Sequence, residues 1–172
     1  TACLVWSSPL PGDARRPLRY IRLTGGVKPH LLSTVKNNLG AETRLHYAPS
    51  TKFYLADRRA GTPWITRLSF PVHVVERMET IDHIGGGWFA SSYTYHHGHF
   101  DGEEREFRGF KTATVTSPGA SDADKTVTTT WFHQGNELNP VDTENPGLSN
   151  GYMKGTPYRV EVRRKSDSLL YS

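Results

Sequence analysis

Tyr93-Thr94-Tyr95-His96-His97-Gly98-His99-Phe100-Asp101-Gly102-Glu103-Glu104-Arg105-Glu106-Phe107-Arg108-Gly109-Phe110 is the stretch on which the fold turns. Its first part alternates, so that Tyr93 and Tyr95 share one face of an extended chain. Asp101-Gly102 then offers a reverse turn, because Asp bonds back to the nearby backbone and Gly accepts left-handed conformations. Beyond the turn, residues 105–115 are rich in β-branched and aromatic side chains, which suit a pleated, half-buried surface. The stretch therefore predicts strand, turn and strand, with its histidines beside the turn.

Working toward the N-terminus, residues 88–96 form a strand reached through Gly85-Gly86-Gly87 from another over 70–80. In that earlier strand Val72, Val74 and Met78 face one way and His73, Val75, Arg77 and Glu79 the other. These two strands are expected to make the longest hairpin. Residues 50–60 are the one helix candidate: Ser50 or Thr51 can cap it, Phe53, Tyr54 and Leu55 supply an apolar stripe, and Gly61 suits the residue past its end. Asn37-Asn38-Leu39-Gly40 reads as a hairpin loop between strands at 31–36 and 42–47. Shorter strand-like runs lie at 18–23 and at Ala2-Cys3-Leu4-Val5-Trp6.

Toward the C-terminus, 118–125 is a polar loop and 126–133 a strand. Residues 135–155 are dense in Asn, Pro, Asp and Gly, as in a long surface loop or partly disordered insertion. Residues 158–164 alternate strictly, Tyr158, Val160 and Val162 against Arg159, Glu161 and Arg163. The sum is a mostly β chain of seven to nine strands in antiparallel hairpins, with one short helix near 50–60.

Composition narrows the function classes. The 172 residues suffice for one domain, or two sharing a core. Hydrophobic residues make up 35%, so the core should be modest or completed by neighbouring surface. No run of 18 apolar residues exists, and no basic-then-apolar leader opens the chain; both ends read as cut from something longer. The charge of +4 is too small and scattered to indicate nucleic acid. Cys3, the single cysteine, excludes an internal disulfide framework and reads as a buried small hydrophobe.

Chemistry is most conceivable at the histidines. Three histidines and four acids lie within residues 96–106. On a strand His97 and His99 would share a face and could grip one ion, with Asp101 or Glu106 as a third ligand. The competing reading is structural: aromatics pack the sheet, Asp101-Gly102 turns it, and Glu103, Glu104 and Glu106 pair with Arg105 and Arg108 on an exposed rim. The second reading is preferred, since the helical His-Glu-x-x-His spacing that fixes ligand geometry is missing. There is no Gly-x-Ser-x-Gly elbow, and Gly85-Gly86-Gly87 lacks the Lys-Ser/Thr of a phosphate loop. The tryptophans could stack on sugars, with Trp88 and Trp131 as candidates, but core packing is the simpler use. No catalytic, cofactor or metal residue is nominated, and the chain is read as not an enzyme.

Several blocks carry a resemblance: Thr1-Ala2-Cys3-Leu4-Val5-Trp6-Ser7, Tyr47-Ala48-Pro49-Ser50-Thr51-Lys52-Phe53-Tyr54-Leu55, Gly61-Thr62-Pro63-Trp64-Ile65-Thr66, Phe70-Pro71-Val72-His73-Val74-Val75-Glu76-Arg77, Tyr95-His96-His97-Gly98 and Arg105-Glu106-Phe107-Arg108-Gly109-Phe110. The sequence resembles the middle region of the B-type subunit of the Tc insecticidal toxin complexes, related to SpvB and to RHS/YD-repeat proteins. The resemblance implies a middle/N-terminal region at 1–95 and a middle/C-terminal region at 96–172. It also implies a segment of an RHS-type β-shell, built with a C-type subunit that holds the cytotoxic cargo. An A-type pore subunit would dock through an upstream propeller. The chain would sit in the bacterial cytoplasm before release, or be secreted, without inserting in a membrane itself. Tyr95, His96, His97, Gly98, Phe100, Asp101, Gly102, Arg105, Glu106, Phe107, Arg108, Gly109 and Phe110 look like a variant of the Tyr-Asp repeat unit. Residues 85–87, 111–125 and 135–155 depart from the family pattern.

Overall fold

The computed structural model describes residues 3–13, 15, 18–25, 28–135 and 153–166, in two compact units, 1–33 and 34–172. The loop expected at 135–155 lies largely outside these residues.

In the first unit, β1 (Cys3–Trp6) pairs antiparallel with β2 (Arg19–Arg22), and a single 3₁₀ turn occupies Pro11–Asp13. Every residue of both strands is exposed. Cys3 is thus exposed, contrary to the expectation of burial, because a two-stranded ribbon has no second layer of its own to cover a side chain.

The second unit is a seven-stranded sheet in which each strand pairs with its chain neighbour: β3 (Thr34–Lys36), β4 (Ala41–Pro49), β5 (His73–Asp82), β6 (Trp88–Asp101), β7 (Glu106–Ser117), β8 (Thr126–Phe132) and β9 (Pro157–Arg164). All pairings are antiparallel, as hairpin connections allow. The mostly β, antiparallel reading with one helix holds.

The turns follow their residues. Asn37 Oδ1 accepts from the Leu39 and Ala41 N–H groups at 2.8 and 2.9 Å, with Asn38 and Gly40 left-handed. Beside this turn, Glu42 is buried and accepts from Arg44 Nε at 2.7 Å, while His83 Nε2 lies 2.9 Å away. The Arg44 and His83 hydrogen bonds hold its carboxyl down to about 2.

Helix α1 (Ser50–Arg59) crosses from β4 toward β5 and packs on β4 and β6. It ends as expected: Gly61 is left-handed, Gly61 N–H donates to Arg58 O, and Thr62 N–H donates to Asp57 O at 3.0 Å. Its start differs from expectation. Neither Ser50 nor Thr51 caps the first turn; Pro49 is the extended N-cap residue and offers no side-chain acceptor. Ser50 Oγ instead accepts from Val72 N–H at 3.1 Å, stitching the helix start to the segment that enters β5.

Two other expectations are corrected. The strand entering Gly85-Gly86-Gly87 begins at His73, so Val72 lies outside it. The longest hairpin is β6–β7, not β5–β6, because β6 runs straight through Gly98 to Asp101.

Ala48 and Phe53 are the buried hydrophobic residues among those described. Around Phe53 an aromatic chain continues through Tyr95, Phe110 and Trp64, with ring centroids 5.5, 5.0 and 6.0 Å apart in turn. Trp6 and Trp88 lie outside any such core at 40% and 55% exposure, contrary to the expectation that the tryptophans are packed inside. Within the second unit, α1 packs on β4 and β6, and most strand residues outside that contact are only half-buried or exposed. No helix among the described residues is long and apolar enough to cross a membrane.

Candidate functional site

The histidine-rich segment lies where β6, β7, α1 and the segment 62–72 meet. Asp57, on the last turn of α1, receives two donors on one oxygen: Trp64 Nε1–H at 2.6 Å and His96 Nδ1 at 2.6 Å. One residue on, His97 adopts φ 57°, a left-handed backbone uncommon for a side chain of its size. That twist lets its Nδ1 accept from Ile65 N–H at 3.2 Å. Thr66 Oγ1 donates to Gly98 O at 2.9 Å, and Phe100 N–H donates to Arg67 O at 2.9 Å. The segment 62–72 is thereby clipped to β6 through residues 65–67.

Gly98 is buried because nothing larger fits. A Cβ there would stand 2.9 Å from Phe110 Cε1, 2.9 Å from Trp64 Cζ3 and 3.0 Å from Leu68 Cδ2. The glycine marks a close approach between backbone and rings.

On the partner strand the register slips. From Gly98 to Phe100, β6 advances two residues while β7 retreats three, from Phe110 to Phe107. The extra residue is a β-bulge at Arg108-Gly109, with Gly109 at φ +78°. The bulge aims Arg108 inward until its side chain is only 5% exposed. The guanidinium meets Asp101 at 2.8 Å and Glu104 at 3.4 Å, and donates to the carbonyls of Gln134 and Gly135 at 3.4 and 3.3 Å. Lys154 bridges Glu104 and Glu106 outside it. Gln134, fully buried, donates from Nε2 to the His97 and Gly109 carbonyls at 2.8 and 3.1 Å, tying β6 to β7 across the bulge.

This corrects the exposed-rim reading for Arg108, which is a buried cation held by surrounding oxygens. Asp101 does make the turn: its Oδ1 accepts from the Glu103 and Glu104 N–H groups at 2.9 and 3.2 Å. Those backbone bonds, in the order Glu104 then Glu103, hold its carboxyl below the usual value, with Arg108 adding to them. Arg105 takes a left-handed backbone as the turn closes.

The two-histidine grip on an ion is not assembled. His97 commits Nδ1 to a backbone amide, and no group of three or more His, Cys, Asp or Glu stands within reach of one ion among the described residues. Burial pushes both His97 and His99 below the usual imidazole value. His96 and Lys111 assist at His97 against Asp57; at His99 the Asp101 charge opposes the shift and Arg108 supports it. As for sugar stacking, Arg159 lies over the Trp131 ring at 4.8 Å, which covers that face, whereas Trp88 is open apart from Arg77 at 5.5 Å.

The motif residues thus converge: Tyr95 and Phe110 on the aromatic chain, His96 and His97 on the clip, Gly98 at the close approach, and Asp101, Glu106, Arg108 and Gly109 at the bulge and turn. Phe100 and Phe107 extend the aromatics to Phe70 and Phe110, at 5.0 and 5.5 Å. Gly102 faces open space. Asp57, Trp64 and Gln134 complete the junction and are not among the motif residues that the sequence pointed to. A polar residue on the helix face turned toward β6 is the only local signal for Asp57, and Gln134 carries none.

Comparison with known proteins gives a consistent result. The model of the insecticide toxin TcdB middle/N-terminal region matches residues 1–139. A crystal structure of TcdB2-TccC3 is similar at 25% identity and a TM-score of 0.63, covering 80% of this chain and 9% of that one. TcdB2-TccC3-TEV gives 26%, 0.67, 82% and 9%. The Photorhabdus luminescens Tc holotoxin pore with the mutation TccC3-D651A gives 25%, 0.66, 80% and 8%. The chain therefore spans less than a tenth of each matched chain. No curated protein matches.

Proposed function

Because the chain belongs to the insecticide toxin TcdB middle/N-terminal family, we propose that it is a wall segment of a Tc toxin B subunit. In this reading it helps to build a hollow β-shell, with a C-type subunit as partner, that encloses a cytotoxic effector. Likeness to TcdB2-TccC3 and to a Tc holotoxin supports a structural toxin segment of this kind. The single observation that carries the reading is the sheet itself. Seven strands lie in chain order in one antiparallel sheet with a thin core, α1 intervening between β4 and β5, and its outer strands, β3 and β9, each carry one free side among the described residues. A wall continued by neighbouring strands has that form, whereas an independent domain would close or cover its sheet.

The clipped junction then has a mechanical role. The bulge at Arg108-Gly109, the Arg108 cluster and the aromatic packing on Gly98 set the bend of β6–β7, and so the local curvature of the wall. The motif from Tyr95 to Phe110 shapes strands and does no chemistry of its own. Docking on an A-type pore subunit would fall to a propeller elsewhere in the longer polypeptide, and the toxin would act after release from the bacterium.

The test is to co-express the complete polypeptide that carries this segment with its C-type partner and challenge the purified complex with proteinase K. Enclosure predicts that the effector survives intact until the complex is opened with denaturant. Digestion of the effector in the intact complex would refute enclosure.

A further inference from the structure

Strand β6 changes partner partway along. It pairs with β5 from Trp88 to Ser92, and with β7 from Ser92 to Asp101. Over Trp88–Ser91 no strand among the described residues pairs with its β7 side, since β7 ends at Ser117 and the chain departs through Pro118. The phase of the ladder fixes which backbone groups are left. Asp82 N–H donates to Gly87 O at 2.8 Å, so 82/87 is a hydrogen-bonded pair; antiparallel pairs alternate, making Thr80/Phe89 and Met78/Ser91 the next ones. Trp88 and Ala90 therefore turn their N–H and C=O away from β5, toward the side on which no described strand pairs with them. A groove of about 470 Å³ is lined by Trp88, Phe89 and Ala90 of this stretch together with Pro118, Gly119 and Lys125. Trp88 and Phe89 are 55% and 57% exposed.

We propose that the Trp88–Ser91 edge is a docking site for an extended peptide of a partner polypeptide, which adds as a strand beside β6. The backbone specifies the occupant: two outward residues offer donors and acceptors at strand spacing, which an extended chain answers and a helix does not. The side chains narrow it further. Trp88 and Phe89, on opposite faces of the strand, favour apolar residues in alternation. The groove lining includes two bases, Arg77 and Lys125, and no acid. Each base also meets one carboxylate, Arg77 with Glu79 and Lys125 with Asp122, so charge tunes preference and the backbone supplies the anchor. The preferred partner is an acidic segment with alternating apolar residues. A second copy of this chain, itself +4, fits the basic lining poorly. The inference stands on the sheet geometry and does not require the shell.

The test uses the full chain and a labelled, end-blocked peptide, Glu-Val-Asp-Val-Glu-Val, in a fluorescence-polarisation titration. Ala90→Pro removes a donor facing the groove while sparing the β5 ladder, and should weaken binding by about tenfold. Phe89→Ser should weaken it through lost apolar contact. Two further peptides vary the ligand alone, each N-methylated on one of the two alternating sets of residues. One set should bind like the parent and the other should lose about tenfold, because only one set faces the edge. Three results would overturn the proposal: no binding of the parent peptide, equal binding of both methylated peptides, or sedimentation showing dimers that Ala90→Pro dissolves.

Discussion

Replacing Gly98 with Ala adds one methyl group at the tightest point of the junction. Carbon atoms rest best at about 3.5–4.0 Å, so the atoms now standing at 2.9, 2.9 and 3.0 Å must retreat by roughly 0.6–1 Å. They have little room, because Phe110 is itself packed against Tyr95, Phe107 and Trp64. Overpacking of this kind costs about 1–3 kcal/mol. Restricting the unfolded chain offsets about 0.4–1 kcal/mol, since Gly98 is not left-handed and Ala can adopt its backbone. Taking the middle of both ranges, the net expectation is a loss of about 1.3 kcal/mol. Urea unfolding followed by tryptophan fluorescence reads this as a midpoint lowered by roughly 0.5–1 M, at a slope of about 2 kcal/mol/M. Gly102→Ala is the control: its Cβ meets nothing within 4 Å, so it should stay within about 0.5 kcal/mol of the parent. A Gly98→Ala protein as stable as the parent would refute close packing around this glycine.

Other outcomes follow from the same junction. Arg108→Met removes a buried cation, its ion pair with Asp101 and its hydrogen bonds to the Gln134 and Gly135 carbonyls; a loss of about 2–4 kcal/mol is expected in thermal unfolding, and an unchanged melt would count against a buried cluster. Asp57→Ala takes the shared acceptor from Trp64 and His96 and should cost about 1–3 kcal/mol, with faster proteolytic cleavage inside 62–72; protection equal to the parent would exclude the clip. His97 gives a pH signature. Its folded-state pKa lies below the usual value, so its contribution is present above about 6.5 and is lost as pH falls through that value toward the lower folded one. His97→Asn, which tolerates the left-handed backbone and does not titrate, should flatten the decline in urea midpoint between pH 7 and 5; an identical slope would show that His97 contributes none of it.

Much of this architecture is legible in the sequence because local chemistry and tertiary packing agree. Alternation at Tyr93 and Tyr95, the turn residues at Asn37–Gly40, Asp101 at its own turn, and Gly61 past the helix each act through neighbouring backbone. The failures come where a distant partner decides. The need for a glycine at position 98 becomes visible only once the rings of Phe110 and Trp64 arrive from 12 and 34 residues away. Ser50 looks like a helix cap but serves Val72. Arg108 looks like a rim charge until a bulge turns it inward. Trp6 and Trp88 look like core because single-chain patterns do not reveal whether a second layer exists to cover them.

The central claim concerns where the seven-stranded sheet sits. A cryo-EM reconstruction of the complete polypeptide with its C-type partner measures this directly. The account predicts strands β3 to β9 embedded in the wall of a closed, hollow envelope, with β3 and β9 each hydrogen-bonded to further strands. A sheet standing outside the envelope with those edges in solvent would contradict it.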